Sequence, residues 1–212
     1  MQVTVFGATG GIGRHVVDQL LTAGHDVVAY ARNPAKLDRH DPRLRLVTGE
    51  LADHERVREG LEGSNAVISA LGPSLKRGTT GTPVADGTRT IVEAMQATGV
   101  RRFIGLATPS IADPRDKPTL KARILPILAN LMFPNALREL QGMTQAVTDS
   151  GLDWTIARIT NPTNKNPTGT TRDGYLGVDD VGSAMTRTDI AAFLVGQLTD
   201  TTYQHAAPAI SN

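Results

Sequence analysis

The chain has 212 residues and a formal net charge of +1, from 22 lysines and arginines against 21 aspartates and glutamates. That balance leaves no broad basic field for nucleic acid and no acidic tail. It has no cysteine, which excludes disulfides, a thiol nucleophile and a thiolate metal site.

Val3, Val5 and Phe6 mark an apolar strand that runs into a glycine turn, GATGGIG, at 7–13. An amphipathic helix follows, with Ile12, Val16, Val17, Leu20 and Leu21 on one face. A second strand over 26–31 ends at Arg32. Together these make a βαβ unit with a phosphate site at its first turn. The glycines let backbone approach a pyrophosphate, and the helix start offers free N–H groups and a partial positive charge. A lone glycine triplet is weak evidence; strand, helix and second strand in the right order give it weight against an ordinary tight turn.

The end of the second strand selects the dinucleotide. An acidic residue there would hold the 2′-hydroxyl of NAD(H). Here the stretch reads Tyr30-Ala31-Arg32-Asn33, without an acid. A guanidinium can pair with a 2′-phosphate, and Lys36 adds a second charge. The expected cofactor is therefore NADP(H). Stacking of Arg32 on the adenine, or simple solvation, is the alternative.

Further along, 34–37 reads as a helical turn and 44–47 as a third strand. Asp53 can cap a helix to Leu61, with Val57 and Leu61 on one side. The apolar run AVISAL at 66–71 suits a strand buried on both faces, ended by Gly72-Pro73. A helix spans 82–98, a fifth strand 103–107, a helix 136–149 and a sixth strand 154–159. A last helix over 189–198, capped by Thr188 or Asp189, closes the pattern. Trp154, on the sixth strand, reads as core. Residues 108–135 hold five prolines and the apolar run 124–133. That is long for a connection, which marks a binding loop or lid, although packing explains the apolar run equally well. Residues 161–185 are also irregular.

This alternation predicts one α/β domain over 1–212, a Rossmann-type doubly wound parallel sheet with helices on both faces. Its variable substrate-side segments are 108–135 and 161–185. Ligands in such sheets sit beyond the strand carboxyl ends. The cofactor residues expected there are Gly7, Thr9, Gly10, Gly11, Ile12, Gly13, Arg32, Asn33, Lys36, Leu51, Ala70, Leu71, Gly72 and Thr108. Residues 159–163 should border the nicotinamide. No apolar run reaches membrane-spanning length. Met1 leads directly into the first strand, which leaves no room for a leader and makes the cytoplasm the expected location. Nucleic acid and membrane are not expected partners; a small-molecule acceptor is, with the protein a monomer or weak dimer.

The chain resembles an atypical short-chain dehydrogenase/reductase. More closely, it is similar to the small NAD(P)H-binding group of NmrA-like proteins and the biliverdin reductase B/flavin reductase type. The residues that carry the resemblance are GATGGIG at 7–13, ARNP at 31–34 and GELADHERVREGLEGSNAVISALG at 49–72. FIGLAT at 103–108, SGLDWTIAR at 150–158 and TRTDIAAFLVGQL at 186–198 complete them. The resemblance implies a Rossmann fold, a preference for NADPH and a reductase or cofactor-sensing role.

One departure matters. Most short-chain reductases use a Tyr-x-x-x-Lys pair, in which the tyrosine protonates the carbonyl as hydride arrives. Tyr30, Tyr175 and Tyr203 are followed four residues on by Pro34, Asp179 and Ala207. The helix where the pair belongs, LRELQGMTQAVTDSG at 137–151, has neither residue. The serine usual after the fifth strand aligns with Thr108, which could orient an acceptor or merely bond to backbone. Ser110 is the second candidate and, beyond Pro109, is expected to point away. No metal site is expected: His15, His25, His40, His54 and His205 lack ligand spacing. Hydrolase Gly-x-Ser-x-Gly and P-loop patterns are absent too. Two readings remain. One is an NADPH-dependent reductase handing hydride to a flat acceptor such as a flavin or quinone, with 109–135 as a slot. The other is a non-catalytic NADP(H) sensor.

Overall fold

The computed structural model describes residues 1–37, 39–76, 79–119, 124, 127–128 and 130–212. In chain order the elements begin β1 (Gln2–Phe6), α1 (Gly13–Thr22), β2 (Asp26–Ala31), a 3-10 turn (Pro34–Lys36), β3 (Leu44–Thr48) and α2 (His54–Leu61). Next come β4 (Ala66–Ser69), α3 (Pro83–Thr98), β5 (Arg102–Ala107), α4 (Pro134–Thr148) and β6 (Asp153–Arg158). The chain ends with β7 (Pro162–Thr163), β8 (Arg172–Gly174), β9 (Met185–Thr186), α5 (Arg187–Gly196) and β10 (Ala209–Ser211).

The main sheet has the order β3-β2-β1-β4-β5-β6-β10-β8. Every pairing in it is parallel except β10 with β8. This is the doubly wound Rossmann architecture. Strand alternation sends Val3 and Val5 of β1 to one face and Phe6 to the other. On the first face they meet Val16, Val17 and Leu20 of α1 and Ile190 and Leu194 of α5. On the second, Phe6 shares a core with Val57 of α2, Ile91 and Met95 of α3 and Leu140 of α4. The order reverses between β1 and β4, so their carboxyl ends open the crevice where such sheets bind ligands.

Local chemistry accounts for most element starts. The Asp53 carboxylate caps α2 by accepting from the Arg56 amide at 3.1 Å. α3 borrows its cap: Glu139 of α4, buried, accepts from the Val84 and Ala85 amides at 3.1 and 2.7 Å. That contact fixes the start of α3 against α4.

Several expectations need correction. The strand expected over 66–71 ends at Ser69; the Ala70 amide still donates to the Phe6 carbonyl at 2.9 Å, and the chain then leaves the sheet toward Gly72-Pro73. The last helix starts at Arg187, and Thr186, not Thr188 or Asp189, is its cap, its hydroxyl accepting from the Asp189 amide at 3.1 Å. The chain also returns to the sheet after that helix as β10. Three residues beside a proline carry too little alternation to be read as a strand. Among the described residues, no helix is long and apolar enough to cross a membrane.

Candidate functional site

The glycine turn follows β1 at the reversal of strand order. Gly7 has φ +75°, a left-handed conformation, and a Cβ there would lie 2.9 Å from the Ala70 carbonyl carbon. A Cβ on Gly13 would lie 2.1 Å from the Gly7 carbonyl oxygen, so α1 can start this close to β1 only with glycine. The Gly10 amide donates to that same oxygen at 2.9 Å and closes the turn.

The start of α1 has no cap. Ile12, at the cap position, makes no side-chain bond, and the first turn contains no acid. The amides of Gly11, Ile12 and Gly13 find no acceptor among the described residues. Unsatisfied N–H groups at a helix start attract anions. Gly10 and Gly11 are exposed, so an incoming phosphate meets backbone rather than side chain. Arg14 donates to the Thr9 carbonyl at 3.2 Å and adds positive charge beside the turn. The arrangement fits a dinucleotide pyrophosphate.

At the end of β2, Arg32, Asn33 and Lys36 are all exposed. The Asn33 carboxamide accepts from the Ala35 amide at 3.2 Å and caps the 3-10 turn, which presents Arg32 and Lys36 on one tight connection. Neither cation makes an ion pair or hydrogen bond with the described residues. Leu51 is held against α3, where a Cβ on Gly87 would lie 2.5 Å from its own Cβ. Ala70 and Leu71 are half-buried beside Gly7, and Gly72 has nothing within 4 Å of a built Cβ. Of the expected cofactor residues, Gly7, Gly10, Gly13, Ala70 and Leu71 are thus in mutual contact at the end of β1, and Arg32, Asn33 and Lys36 sit together after β2.

Thr108 directly follows β5 and is half-buried. Ser110 does not point away: its hydroxyl lies 2.6 Å from the Thr108 hydroxyl. The turn explains this, because the Ile111 amide donates to the Thr108 carbonyl at 3.0 Å and folds the chain back across Pro109. The two candidates are one hydrogen-bonded pair.

The tyrosines are committed elsewhere. Tyr30 donates to the Glu50 carbonyl at 2.8 Å, and burial with the nearby Asp53 and Glu50 charges pushes its phenol up to about 12. Tyr203 donates to the Asp173 carboxylate, and burial with that bond raises it further. Tyr175 accepts from Arg115 at 3.0 Å and packs on the Tyr203 ring at the β8 edge. Four strands separate that edge from β1.

The apolar run at 124–133 is described only in part; Leu125, Pro126 and Ala129 lie outside the described residues. Ile124, Ile127, Leu128, Leu131, Met132 and Phe133 are exposed, as is Leu75 after β4. The connections that carry them leave the neighbouring strands β4 and β5 at their carboxyl ends. That placement suits a pocket wall better than core packing. Trp154, only partly buried, packs against the core of the α3 and α4 face.

Arg187 of α5 could not be found by sequence reasoning, because no local motif ties it to a turn so far along the chain. Its Nε lies 2.9 Å from where a Cβ on Gly11 would stand.

A family model described as NAD(P)H-binding matches residues 7–201. The chain belongs to this NAD(P)H-binding family. A curated relative, the (4-alkanoyl-5-oxo-2,5-dihydrofuran-3-yl)methyl phosphate reductase of Streptomyces griseus subsp. griseus, is 29% identical over 217 residues. The match covers 99% of this chain and 67% of that protein. Other curated relatives match over about half of this chain and about a third of their own length. Among solved structures, the oxidoreductase ylbE from Lactococcus lactis superposes with a TM-score of 0.80 at 20% identity, covering 100% of this chain and 91% of that one. A wide-type short-chain dehydrogenase/reductase from Veillonella parvula, solved with NADP, gives 0.74 at 18% identity, covering 100% and 94%. These likenesses establish the fold.

Proposed function

We propose that this protein is an NADPH-dependent reductase of the flavin-reductase-like kind, passing hydride to a small flat acceptor such as a flavin or quinone. The observation that carries the reading is a pair of exposed cations, Arg32 and Lys36, without a partner among the described residues, on a tight turn after β2 whose residues 32–37 include no acid, beside an uncapped α1. The reductase activity named for the Streptomyces relative and the NADP bound to the Veillonella protein agree with it.

Bound NADPH supplies the hydride. The amides of Gly11, Ile12 and Gly13 hold the pyrophosphate, and Arg32 with Lys36 holds the 2′-phosphate. Leu51, Ala70 and Leu71 line the adenosine side of the crevice. Thr108, steadied by Ser110, donates a hydrogen bond that orients the acceptor. The tyrosines are poorly placed to act as the acid: Tyr30 and Tyr203 donate their protons in structural bonds, and Tyr175 sits at the β8 edge, separated from β1 by four strands. A flavin or quinone suits that poverty, because its ring takes hydride and then draws a proton from water. The protein's task is then to hold two rings face to face. Exposed Leu75, Ile124 and Phe133 provide apolar surface for the second ring.

Arg32→Ala should weaken NADPH about ten- to a hundredfold, the scale of a charge-assisted hydrogen bond, and leave NADH nearly unchanged. Parallel calorimetric titrations check this; identical losses for both cofactors would remove Arg32 from the 2′-phosphate. Thr108→Val should slow turnover only a few- to about tenfold, the worth of one neutral hydrogen bond at roughly 0.5–1.5 kcal/mol. Ser110→Ala should slow it less, since Ser110 acts through Thr108. Neither should change NADPH affinity. Steady-state kinetics with one shared acceptor decide the matter, and a silent Thr108→Val would move the acceptor away from β5.

NADPH oxidation with a panel of flavins and quinones tests the function itself. Turnover with at least one acceptor is expected. NADPH binding without turnover on any of them would instead support a cofactor sensor.

A further inference from the structure

We propose that Arg187, at the first position of α5, is a second cationic anchor for the cofactor and grips its pyrophosphate from across the glycine turn. The inference rests on the NAD(P)H-binding reading of that turn and adds a residue to it from the far end of the fold.

Arg187 lies across Gly11. Its Nε and Cδ stand 2.9 and 3.1 Å from the position a Cβ on Gly11 would occupy. No other atom is that near a Cβ at this glycine. A side chain on Gly11 would therefore have to displace Arg187. The guanidinium is half-exposed and hydrogen-bonds through one nitrogen to the Asn164 side-chain oxygen at 2.6 Å. It pairs with no carboxylate among the described residues. An arginine steered by a neutral amide keeps its full charge and most of its donors for a ligand. The Gly11 amide finds no acceptor among the described residues, so an unsatisfied backbone donor and a side-chain cation lie at the same residue.

The scaffold behind Arg187 is rigid. Thr186 caps α5 and is buried, and so is Asp189. The Asp189 carboxylate accepts from the Thr168 amide at 2.8 Å, the Gly169 amide at 3.1 Å and the Thr186 hydroxyl at 2.8 Å. It also accepts from the Asn212 side chain. Gln19 of α1 donates to the Thr188 carbonyl at 2.9 Å and locks the two helices together beside the turn. Arg187 is therefore presented from a fixed helix start and not from a mobile surface chain. Asn164 directly follows β7, which pairs with β9, the strand that runs into α5, so the partner of the guanidinium is fixed by the same small sheet.

Arg32 and Arg187 should then act on different parts of the same molecule. The 2′-phosphate distinguishes NADPH from NADH; the pyrophosphate does not. Titrations of wild type, Arg187→Ala and Arg187→Lys with NADPH and with NADH separate the two. Arg187→Ala should weaken both cofactors by the same factor, about tenfold or more. Arg187→Lys should recover part of that loss, since an ammonium keeps the charge but not the fork. The thermal midpoint of both variants should stay near the wild-type value. Unchanged affinity in Arg187→Ala, a loss confined to NADPH, or a loss that lysine does not relieve at all would each overturn the proposal. The wild-type preference for NADPH tests Arg32 and the variant-to-wild-type ratio tests Arg187, so either can fail alone.

Discussion

Gly10→Val is expected to fold normally and to lose both NADPH and NADH. Gly10 is exposed, its φ is not in the left-handed region, and a Cβ there meets only the Gly7 carbonyl oxygen, at 3.1 Å. A shift of a few tenths of an ångström accommodates it. The branched side chain then stands over the amides of Gly11 and Ile12, where a pyrophosphate must reach backbone. Two or more charge-assisted hydrogen bonds are forfeited, a loss of at least about a hundredfold in affinity. Gly13→Ala should behave differently. Its Cβ would overlap the Gly7 carbonyl oxygen at 2.1 Å, so α1 must move off β1 and stability falls along with binding. Calorimetry beside a thermal melt checks the contrast. Normal cofactor affinity in Gly10→Val would put the phosphate site elsewhere.

Asp116→Ala should cost about 3–5 kcal/mol of stability, the range for breaking a buried ion pair from one side. Arg158, at the carboxyl end of β6, is fully buried. Its guanidinium donates to the two Asp116 oxygens at 2.5 and 2.7 Å and to the Ile111 carbonyl at 3.1 Å. Asp116 also accepts from the Asp113 and Leu176 amides at 2.9 and 2.8 Å. Removing the carboxylate strands a charged guanidinium in the core and unpins the connection after β5 from the connection after β8. Burial by itself would raise the Asp116 carboxyl, but the bonds from Arg158, Asp113 and Leu176 outweigh it and hold the group below its ordinary value. A lowered folded-state value means the stabilisation is complete above the unfolded carboxyl value of about 4. It is lost as pH falls through the folded value. Urea unfolding should therefore show a large gap between wild type and Asp116→Ala at neutral pH, narrowing below about pH 4. A gap of the same size under acid conditions would contradict the assignment. Cofactor affinity should survive in the variant, because β1 and α1 lie outside this network.

The reach of the sequence follows from how local each signal is. The phosphate turn was legible because its determinants lie within one βαβ unit, and Gly7 and Gly13 meet the close contacts that the glycine pattern implied. The end of β2 was legible for the same reason. Thr108 was legible from its place after an apolar strand, but its partnership with Ser110 was not, since a reversal across Pro109 leaves no mark in residue order. Arg187 was out of reach because only the packing of α5 on α1 brings it to Gly11. The burial of Arg158 was out of reach too, because it depends on Asp116, forty-odd residues earlier and in an irregular segment. β10 escaped because three residues beside a proline gain their strand geometry from β6 and β8 rather than from their own pattern.

The most direct measurement mixes the protein, preloaded with NADPH, with excess menadione or riboflavin under anaerobic conditions and follows loss of the reduced nicotinamide. Oxidation well above the protein-free rate is expected, slower with NADH at the same low concentration and absent in Gly10→Val. Tight NADPH binding with no acceleration toward any flavin or quinone would contradict the reductase and leave a protein that reads the cofactor without using it.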